Sequence, residues 1–451
     1  MRSLHRRLGW IAGVVALAWA STGFLHPIMG WTAPRPAVQA PPSSSLAIAG
    51  LADPRAALAA NGVTEAVFVR LVEANGRPVW LAGGPDGTRL ALDARSLATV
   101  PEAEKARAIA LARHYAGLPD AEVVHVRTIT AFSTDYPPIN RLLPVTEVRF
   151  DTPDGLTLYV DTAADRLASV VNDPRRIMLA VFQNVHTLKF LEPVELLRIA
   201  LILALVGTVL ATTIAGAGML LSARGRGMRA GHRLLGWVAL PLVLMFTLSG
   251  LLHLFVRHNL FPAAAPAATP FAIAALGPPP GAASPGLTVT SLVATAAPQG
   301  DATWRVEAAG RGYHSDGRTD VERARILAGA APDARATLVT RFGGDYGFAN
   351  KRLPVWRIET ADGPAFVDLA EGLVAARPRT SAIERFEDWT FDTLHKWRFL
   401  DPLGRRSRDI ATMAGAGLIA LMAALGVALL LRRRRTPAIR RTSLQTQGES
   451  A

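Results

Sequence analysis

Four long apolar stretches divide this chain: Leu8 to Met29, Val194 to Leu221, Leu234 to Val256 and Ile410 to Leu431. At about 1.5 Å per residue, each is long enough to cross a hydrocarbon core of roughly 30 Å, and none carries a central charge cluster. The pattern predicts four transmembrane helices. Between them the hydrophobic period drops to two. Alternation runs through Ala66-Val67-Phe68-Val69-Arg70-Leu71 and returns near Val79-Trp80-Leu81, with Gly83-Gly84-Pro85-Asp86-Gly87 as the turn. Helical spacing of alanine and leucine follows from Pro101 to Ala116. Val145 to Phe150 and Leu156 to Asp161 then read as a hairpin closed by Asp151-Thr152-Pro153-Asp154-Gly155. The later segment ends in the same way, with Val355 to Glu359, a turn at Ala361-Asp362-Gly363-Pro364, and Phe366-Val367-Asp368.

The expected fold is a membrane α-helical protein of four transmembrane helices, with an internal pseudo-two-fold repeat and two α+β domains outside the bilayer. The boundaries read as 1–30 for the N-terminus and first helix, 31–190 for the first outer domain, and 191–258 for the second and third helices with their loop. The second outer domain follows at 259–404, the fourth helix at 405–435 and a tail at 436–451. Pro/Ala/Ser-rich stretches at Ala33 to Ala49 and Pro262 to Gly286 read as extended linkers.

Charge orients the spans. The formal net charge of +13 is carried almost entirely by three short segments. Arg2, Arg6 and Arg7 precede the first span; Arg224, Arg226, Arg229 and Arg233 fill the loop between the second and third; Arg432 to Arg435, Arg440 and Arg441 follow the fourth. Basic short loops mark the cytoplasmic side, so both termini are expected inside and both long segments outside. Arg405, Arg406 and Arg408 mildly oppose this scheme. The same distribution makes nucleic acid an unexpected partner and the lipid bilayer the expected one. The first span is expected to be retained rather than cleaved as a signal peptide, because its counterpart in mid-chain cannot be one.

The halves agree at their histidines. His5-Arg6-Arg7-Leu8-Gly9-Trp10 answers His232-Arg233-Leu234-Leu235-Gly236-Trp237, and Ser21-Thr22-Gly23-Phe24-Leu25-His26 answers Leu248-Ser249-Gly250-Leu251-Leu252-His253. His186-Thr187-Leu188-Lys189-Phe190-Leu191-Glu192-Pro193 answers His395-Lys396-Trp397-Arg398-Phe399-Leu400-Asp401-Pro402. Six of the ten histidines are therefore paired by the repeat, all beside apolar spans. A second correspondence precedes each hairpin: Asp135-Tyr136 to Pro144-Val145 parallels Asp345-Tyr346 to Pro354-Val355. Tyr136 and Tyr346 are expected to pack at the entry of an edge strand, with ligand contact as the alternative.

A helix followed by a two-stranded hairpin, placed between such spans, resembles the PepSY domain. Most of residues 1 to 435 resembles the PepSY-associated transmembrane family. The marks of that family are a His-Arg-x-x-Gly start, a Thr-Gly or Ser-Gly end to the span and a Leu-His or Val-His before the next. Here they are His5-Arg6-Arg7-Leu8-Gly9, Thr22-Gly23 and Val185-His186, then His232-Arg233-Leu234-Leu235-Gly236, Ser249-Gly250 and Leu394-His395. The resemblance implies PepSY-like periplasmic domains, a bacterial inner-membrane location and kinship with ferric-siderophore reductases that carry haem b. The chain departs from the pattern at His26 and His253, where an apolar residue is expected.

Neutral imidazole is a strong axial ligand for haem iron, and two on facing helices make an electron-transfer centre. His5 and His26 are roughly 31 Å apart along a helix and about 5.8 turns, so they face within about 60° of each other, and His232 and His253 do the same. His5 and His232 can meet as one pair at the cytoplasmic border, while His26, His186, His253 and His395 supply the outer border. Two haems are expected, and the histidines suffice for three. Arg6 and Arg233, or Arg257 with His258, are candidates to hold propionates or, equally, to anchor headgroups. The alternative for the whole set is interfacial anchoring. His114, His125 and His314 have no partner spacing and read as solvated.

Absent cysteine excludes thiolate-held clusters, covalent c-type haem and disulfides. Hydrolase, zinc-protease, P-loop and dinucleotide motifs are missing too, so no catalytic residue is assigned and electrons are expected from a quinol or a separate reductase. Two functions remain: an oxidoreductase delivering electrons to a periplasmic acceptor such as a ferric siderophore, or a non-enzymatic sensor or assembly factor binding peptide or a partner protein.

Overall fold

The computed structural model describes residues 1–42, 45–220, 226–256, 266–280, 288–297, 301–378 and 381–435. Arg224, Arg257, His258, Arg440 and Arg441, given roles above, lie outside the described residues. In chain order the helices are α1 (Arg2–Thr32), α2 (Arg55–Ala60), α3 (Ala103–Ala116), α4 (Asp173–His186), α5 (Glu195–Leu220), α6 (Met228–Phe255), α7 (Asp320–Ala328), α8 (Ala382–Thr390) and α9 (Arg405–Arg435). The chain divides into two compact units.

The first unit comprises Met1–Trp31, Ala180–Pro262 and Ile383–Ala451. Its α1, α5, α6 and α9 are each long and apolar enough to cross a membrane. Ile11, Val14, Leu196, Leu234, Trp237 and Leu421 stand about half or more exposed, the outward apolar surface that lipid covers. Inward, Ala12, Ala20, Val209, Ala239, Val243, Ala416 and Ile419 form a core of mostly small side chains. Small residues let helix backbones approach closely, which is how packing is gained where no hydrophobic driving force acts between helices. These observations make the chain a membrane protein.

The second unit comprises Thr32–Leu179 and Ala263–Ala382. It holds two antiparallel meanders of the same form. Val123–Ile129, Val145–Phe150, Thr157–Asp161 and Arg166–Val171 make one, and Ala336–Val339, Val355–Thr360, Gly363–Asp368 and Leu373–Ala376 the other. Leu111 and Tyr115 of α3 pack on Val148, Phe150, Leu158 and Val160. Ala324 and Ala328 of α7 pack on Ile358, Ala365 and Val367. Gly155 takes φ 62° in the first hairpin turn, which is why glycine stands there.

The two long segments, expected to form separate domains, also meet in one six-stranded sheet. Its spatial order is Arg311–His314, Ala302–Ala308, Ser291–Ala296, Phe68–Ala74, Arg77–Gly83 and Arg89–Asp93. The join is the antiparallel pairing of Leu292 with Leu71 and Ala294 with Val69. Asn75 and Gly76, at φ 51° and 73°, turn the first hairpin of this sheet, the Asn-Gly pair of a type I′ connection. A buried ion network reinforces the union: Arg166 reaches Asp368 at 2.8 Å and also Glu371, and Arg352 reaches Glu371 at 3.0 Å.

Three expectations change. The second linker is partly structured: Phe271–Ala272 pairs with Glu65–Ala66, and Phe271, Ile273 and Leu276 are buried in the sheet core. Val145 and Val355 open inner strands rather than edge strands, each paired on both sides. His314 is buried instead of solvated, 3.2 Å from the Asp320 carboxylate, because its strand lies under α7. His125 is exposed, and His114 reaches the Ala40 carbonyl at 2.9 Å. Tyr136 and Tyr346 are fully buried, and their hydroxyls donate to the carbonyls of Leu142 at 2.9 Å and Arg352 at 3.1 Å. Both tyrosines pack and brace their own loops.

Candidate functional site

Near one end of the helical unit, His5 of α1 and His232 of α6 face each other with ring centroids 6.3 Å apart and planes tilted by 53°. Each is held through Nδ1 by a backbone carbonyl of a different helix, His5 by Thr212 on α5 at 2.9 Å and His232 by Met422 on α9 at 3.1 Å. A carbonyl already engaged within a helix has a second lone pair, and the residue four positions on decides whether anything can reach it. Those residues are Gly216 and Gly426. A Cβ on either would stand 3.1 Å from the Cε1 of the histidine it faces. The missing side chains thus open the carbonyls to the imidazoles.

With Nδ1 engaged, Nε2 is the nitrogen left without a hydrogen-bond partner among the described residues, on both rings. A carbonyl can only accept, so Nδ1 carries the proton and Nε2 keeps its lone pair. Two imidazoles sharing one metal ion at about 2 Å from each nitrogen have ring centroids about 6 Å apart, which is the separation seen. Around the pair lies a cavity of about 750 Å³. Gly9, Ala12, Gly13 and Ala16 of α1 continue down the His5 face as a stripe of small residues, and Gly236 does so below His232. Arg2, Arg6, Arg229 and Arg233 line the same cavity, two of them the arginines expected to meet propionates.

The other end adds hydroxyls to the theme, while His395 also hydrogen-bonds the Phe246 carbonyl, four residues before Gly250. His186 closes α4, and His395 closes a π-helical turn, Phe391–His395. The His186 Nδ1 lies 2.9 Å from the Thr22 hydroxyl of α1, and the His395 Nδ1 lies 3.2 Å from the Ser249 hydroxyl of α6. Those hydroxyls donate within their own helices, Thr22 to Ala18 at 2.9 Å and Ser249 to Met245 at 2.6 Å. Burial is the main influence on both imidazoles, which lie outside the four spans, and it pulls His186 to about 4 and His395 to about 3. Both are neutral, the ligating form, at pH 7.

His26 and His253 meet the aromatic rings that stack on His186 and His395. Phe182 stacks on His186 at 4.8 Å and also contacts His26 at 5.9 Å. Phe391 stacks on His395 at 4.7 Å and on His253 at 3.8 Å. The phenyls sit one turn before the ligand-type histidines, the i, i+4 spacing that brings side chains together on a helix. The two outlying histidines then diverge, since the His253 Nδ1 meets the Glu387 carboxylate at 2.6 Å.

No family model, curated protein or solved structure matches this chain. The chemistry open to the site follows from its own residues. Among the described residues, no group of three or more His, Asp or Glu could together hold a metal ion. Haem asks for less, because the porphyrin supplies four donors and the protein two. The histidine pair, the bare nitrogens and the cavity floored with glycine fit that demand. Reading the sequence missed Thr212, Gly216, Met422 and Gly426, whose importance depends on which histidine approaches which helix. Thr22 and Ser249 were visible as a repeated hydroxyl-glycine pair, without their role.

Proposed function

We propose that this chain is a haem b-containing electron-transfer protein of the bacterial inner membrane, of the PepSY-associated type, which reduces a periplasmic acceptor, ferric iron in a siderophore. The observation that carries the reading is the His5–His232 pair: two imidazoles 6.3 Å apart, each fixed through Nδ1 on a separate helix, over a cavity of about 750 Å³. His186 and His395 are the ligand candidates at the other end. Haem bound at such a site carries one electron between its ferric and ferrous states. The protein orients the imidazoles through their Nδ1 contacts and excludes water with apolar helices. Arg2, Arg6, Arg229 and Arg233, which line the cavity, would hold the propionates by charge-assisted hydrogen bonds.

With the basic loops inside, the His5–His232 pair lies at the cytoplasmic border and His186 and His395 at the periplasmic one. Reporter fusions after Gly225 and Arg435 are then expected to read cytoplasmic, and fusions within residues 60–170 or 301–370 periplasmic. The unit built from Thr32–Leu179 and Ala263–Ala382 carries most of the soluble mass, so acceptor recognition belongs there. The purified protein is expected to show a reducible b-type Soret band. In vesicles its reduced form is expected to reoxidise when a ferric siderophore is added on the periplasmic face. A colourless protein would overturn the reading and favour a sensor or assembly factor. Anaerobic reoxidation at equal rates with and without ferric chelate would remove the acceptor.

A further inference from the structure

The loops that lead into the two meander hairpins are built alike and lean on each other. Each makes a short 3₁₀ turn, Pro138–Asn140 or Phe348–Asn350, followed by a basic residue at positive φ, Arg141 at 55° and Lys351 at 62°. Across the junction, the Arg141 Nη1 donates to the Asn350 Oδ1 at 2.7 Å, and the Arg352 Nη1 donates to the Arg141 carbonyl at 3.3 Å. The likeness stops at the second cation. Lys351 makes no matching bond to Asn140, and among the described residues its ammonium has neither a hydrogen-bond acceptor nor a carboxylate within ion-pair distance. Asp368 and Glu371, the acids of this junction, are already matched by Arg166 and Arg352. Lys351 is nevertheless only 7% exposed, with its Nζ 3.6 Å from the ring centroid of Phe348, which is itself 63% exposed. A cation–π contact returns part of the hydration that an ammonium loses, but it supplies no acceptor for the N–H donors. Buried charges are ordinarily paired, and here the chain itself brings no counter-charge. Burial and the nearby Arg175 of α4 bring the amine down to about 7, so an arriving anion would hold the proton on it and accept its hydrogen bonds.

We propose that Lys351 is the cation of an anion-binding site on this loop pair, walled by Phe348, and that the acceptor it takes is a negatively charged ferric chelate with carboxylate or catecholate donors, not a cationic hydroxamate. The inference rests on the reading of a ferric chelate as the acceptor. A mostly exposed ring that covers a mostly buried amine lies on its solvent side, so a ligand reaches Nζ by displacing that ring. A catecholate offers an aromatic face and negative oxygens together, the two things Lys351 needs once Phe348 has moved. Ile139 of the facing loop, 65% exposed, adds a second apolar side chain beside the cations. Arg141 and Arg175 add positive potential, which draws anions in and keeps cationic chelates out.

The test is ligand-induced thermal stabilisation of the purified full-length protein. The probes are gallium chelates: a tris-catecholate and a citrate complex, set against a cationic hydroxamate complex. Gallium matches ferric iron in charge and size but is not reduced, so binding is read apart from electron transfer. The anionic chelates are expected to stabilise the wild type and the cationic one is not. Lys351→Met keeps the apolar stem and removes the charge. It is expected to weaken anionic binding at least about tenfold. Without ligand it is expected to melt no lower than wild type, since it removes a buried charge that the chain does not pair. Equal stabilisation by anionic and cationic chelates, undiminished binding in Lys351→Met, or a ligand-free variant that melts well below wild type overturns the inference. So does stabilisation by phosphatidylglycerol vesicles alone that Lys351→Met abolishes, which would make the ligand a lipid headgroup. A haem-loaded wild type that binds no chelate overturns this site and leaves the haem reading standing. Chelate binding by a protein without haem keeps the site and overturns the electron-transfer reading.

Discussion

His5 and His232 stand 6.3 Å apart, centroid to centroid, although they belong to different helices from opposite halves of the chain. Each is anchored on a third or fourth helix, so all four long helices contribute to a single pair of rings. A mere interfacial anchor would gain nothing from such convergence. Anchors face lipid headgroups, whereas these imidazoles turn inward over a cavity.

Loss of either ring is expected to cost the same haem. His5→Ala and His232→Ala should each remove one b-type component entirely, because an axial pair fails when one member is gone. The two variants should be spectrally indistinguishable and should keep the remaining component. Pyridine haemochrome analysis gives the stoichiometry, and full haem content in both variants would return these histidines to the anchor reading.

The glycines facing the pair make a sharper test, because they carry no ligand atom. A Cβ at Gly216 or Gly426 would lie 3.1 Å from an imidazole carbon, tighter than ordinary contact, and two further methyls would cover the carbonyl. Gly216→Val and Gly426→Val are expected to displace the ring from its acceptor and to cut occupancy of that site at least tenfold. Helix content by circular dichroism should persist, since valine costs a lipid-exposed helix little beside glycine. Equal haem content in wild type and both variants would show that the carbonyl contacts are incidental.

Much of this was legible in the sequence. The spans were, because a run of apolar residues long enough for a bilayer has few other uses, and so were the hairpins, whose turn residues announce themselves at Gly155 and Gly363. The six-stranded sheet was not. The strand Phe68–Ala74 is buried on both faces, with Val69 and Leu71 in one core and Phe68 and Val72 in the other, so its alternation said nothing about a partner contributed from residue 291 onward. His314 was misjudged for a related reason: its neighbour Asp320 follows in sequence but only α7 folding back brings it near. At the candidate site the histidines were visible as a repeated set. Their acceptors were not, because carbonyls and glycines have no chemical signature until a fold brings a ring against them.

Asp320 ties the edge strand of the large sheet to α7 and carries a pH signature. Burial opposes its ionisation, yet His314 and the bidentate Arg305 at 2.8 and 2.9 Å hold its carboxyl down to about 2. A depressed carboxylate contributes stability that is present above its unfolded value, near 3.8, and disappears as pH falls through the folded one. The contribution at pH 7 is about 2 kcal/mol. Asp320→Asn is expected to lower the melting temperature of the detergent-solubilised protein at pH 7, and the gap from wild type should close between about pH 4 and pH 2. A gap that persists unchanged at pH 2 would show that the carboxylate's charge is not what stabilises.

The four outer histidines are expected to separate into two classes. His186 has Nδ1 on the Thr22 hydroxyl, and His395 has Nδ1 beside the Ser249 hydroxyl together with a hydrogen bond to the Phe246 carbonyl. His26 and His253 meet the phenyl rings that stack on those two, and His253 is further bound to Glu387. His186→Ala and His395→Ala should therefore each abolish the second haem component, whereas His26→Ala and His253→Ala should retain it at wild-type amount. The phenyls give a control. Phe182→Leu and Phe391→Leu keep an apolar side chain of similar bulk and lose the flat face, so haem should stay while the ligand rings gain rotational freedom, visible as broadened low-spin signals in electron paramagnetic resonance. Loss of the component from His26→Ala or His253→Ala, with retention in His186→Ala, would reverse the assignment and make His26 and His253 the ligands.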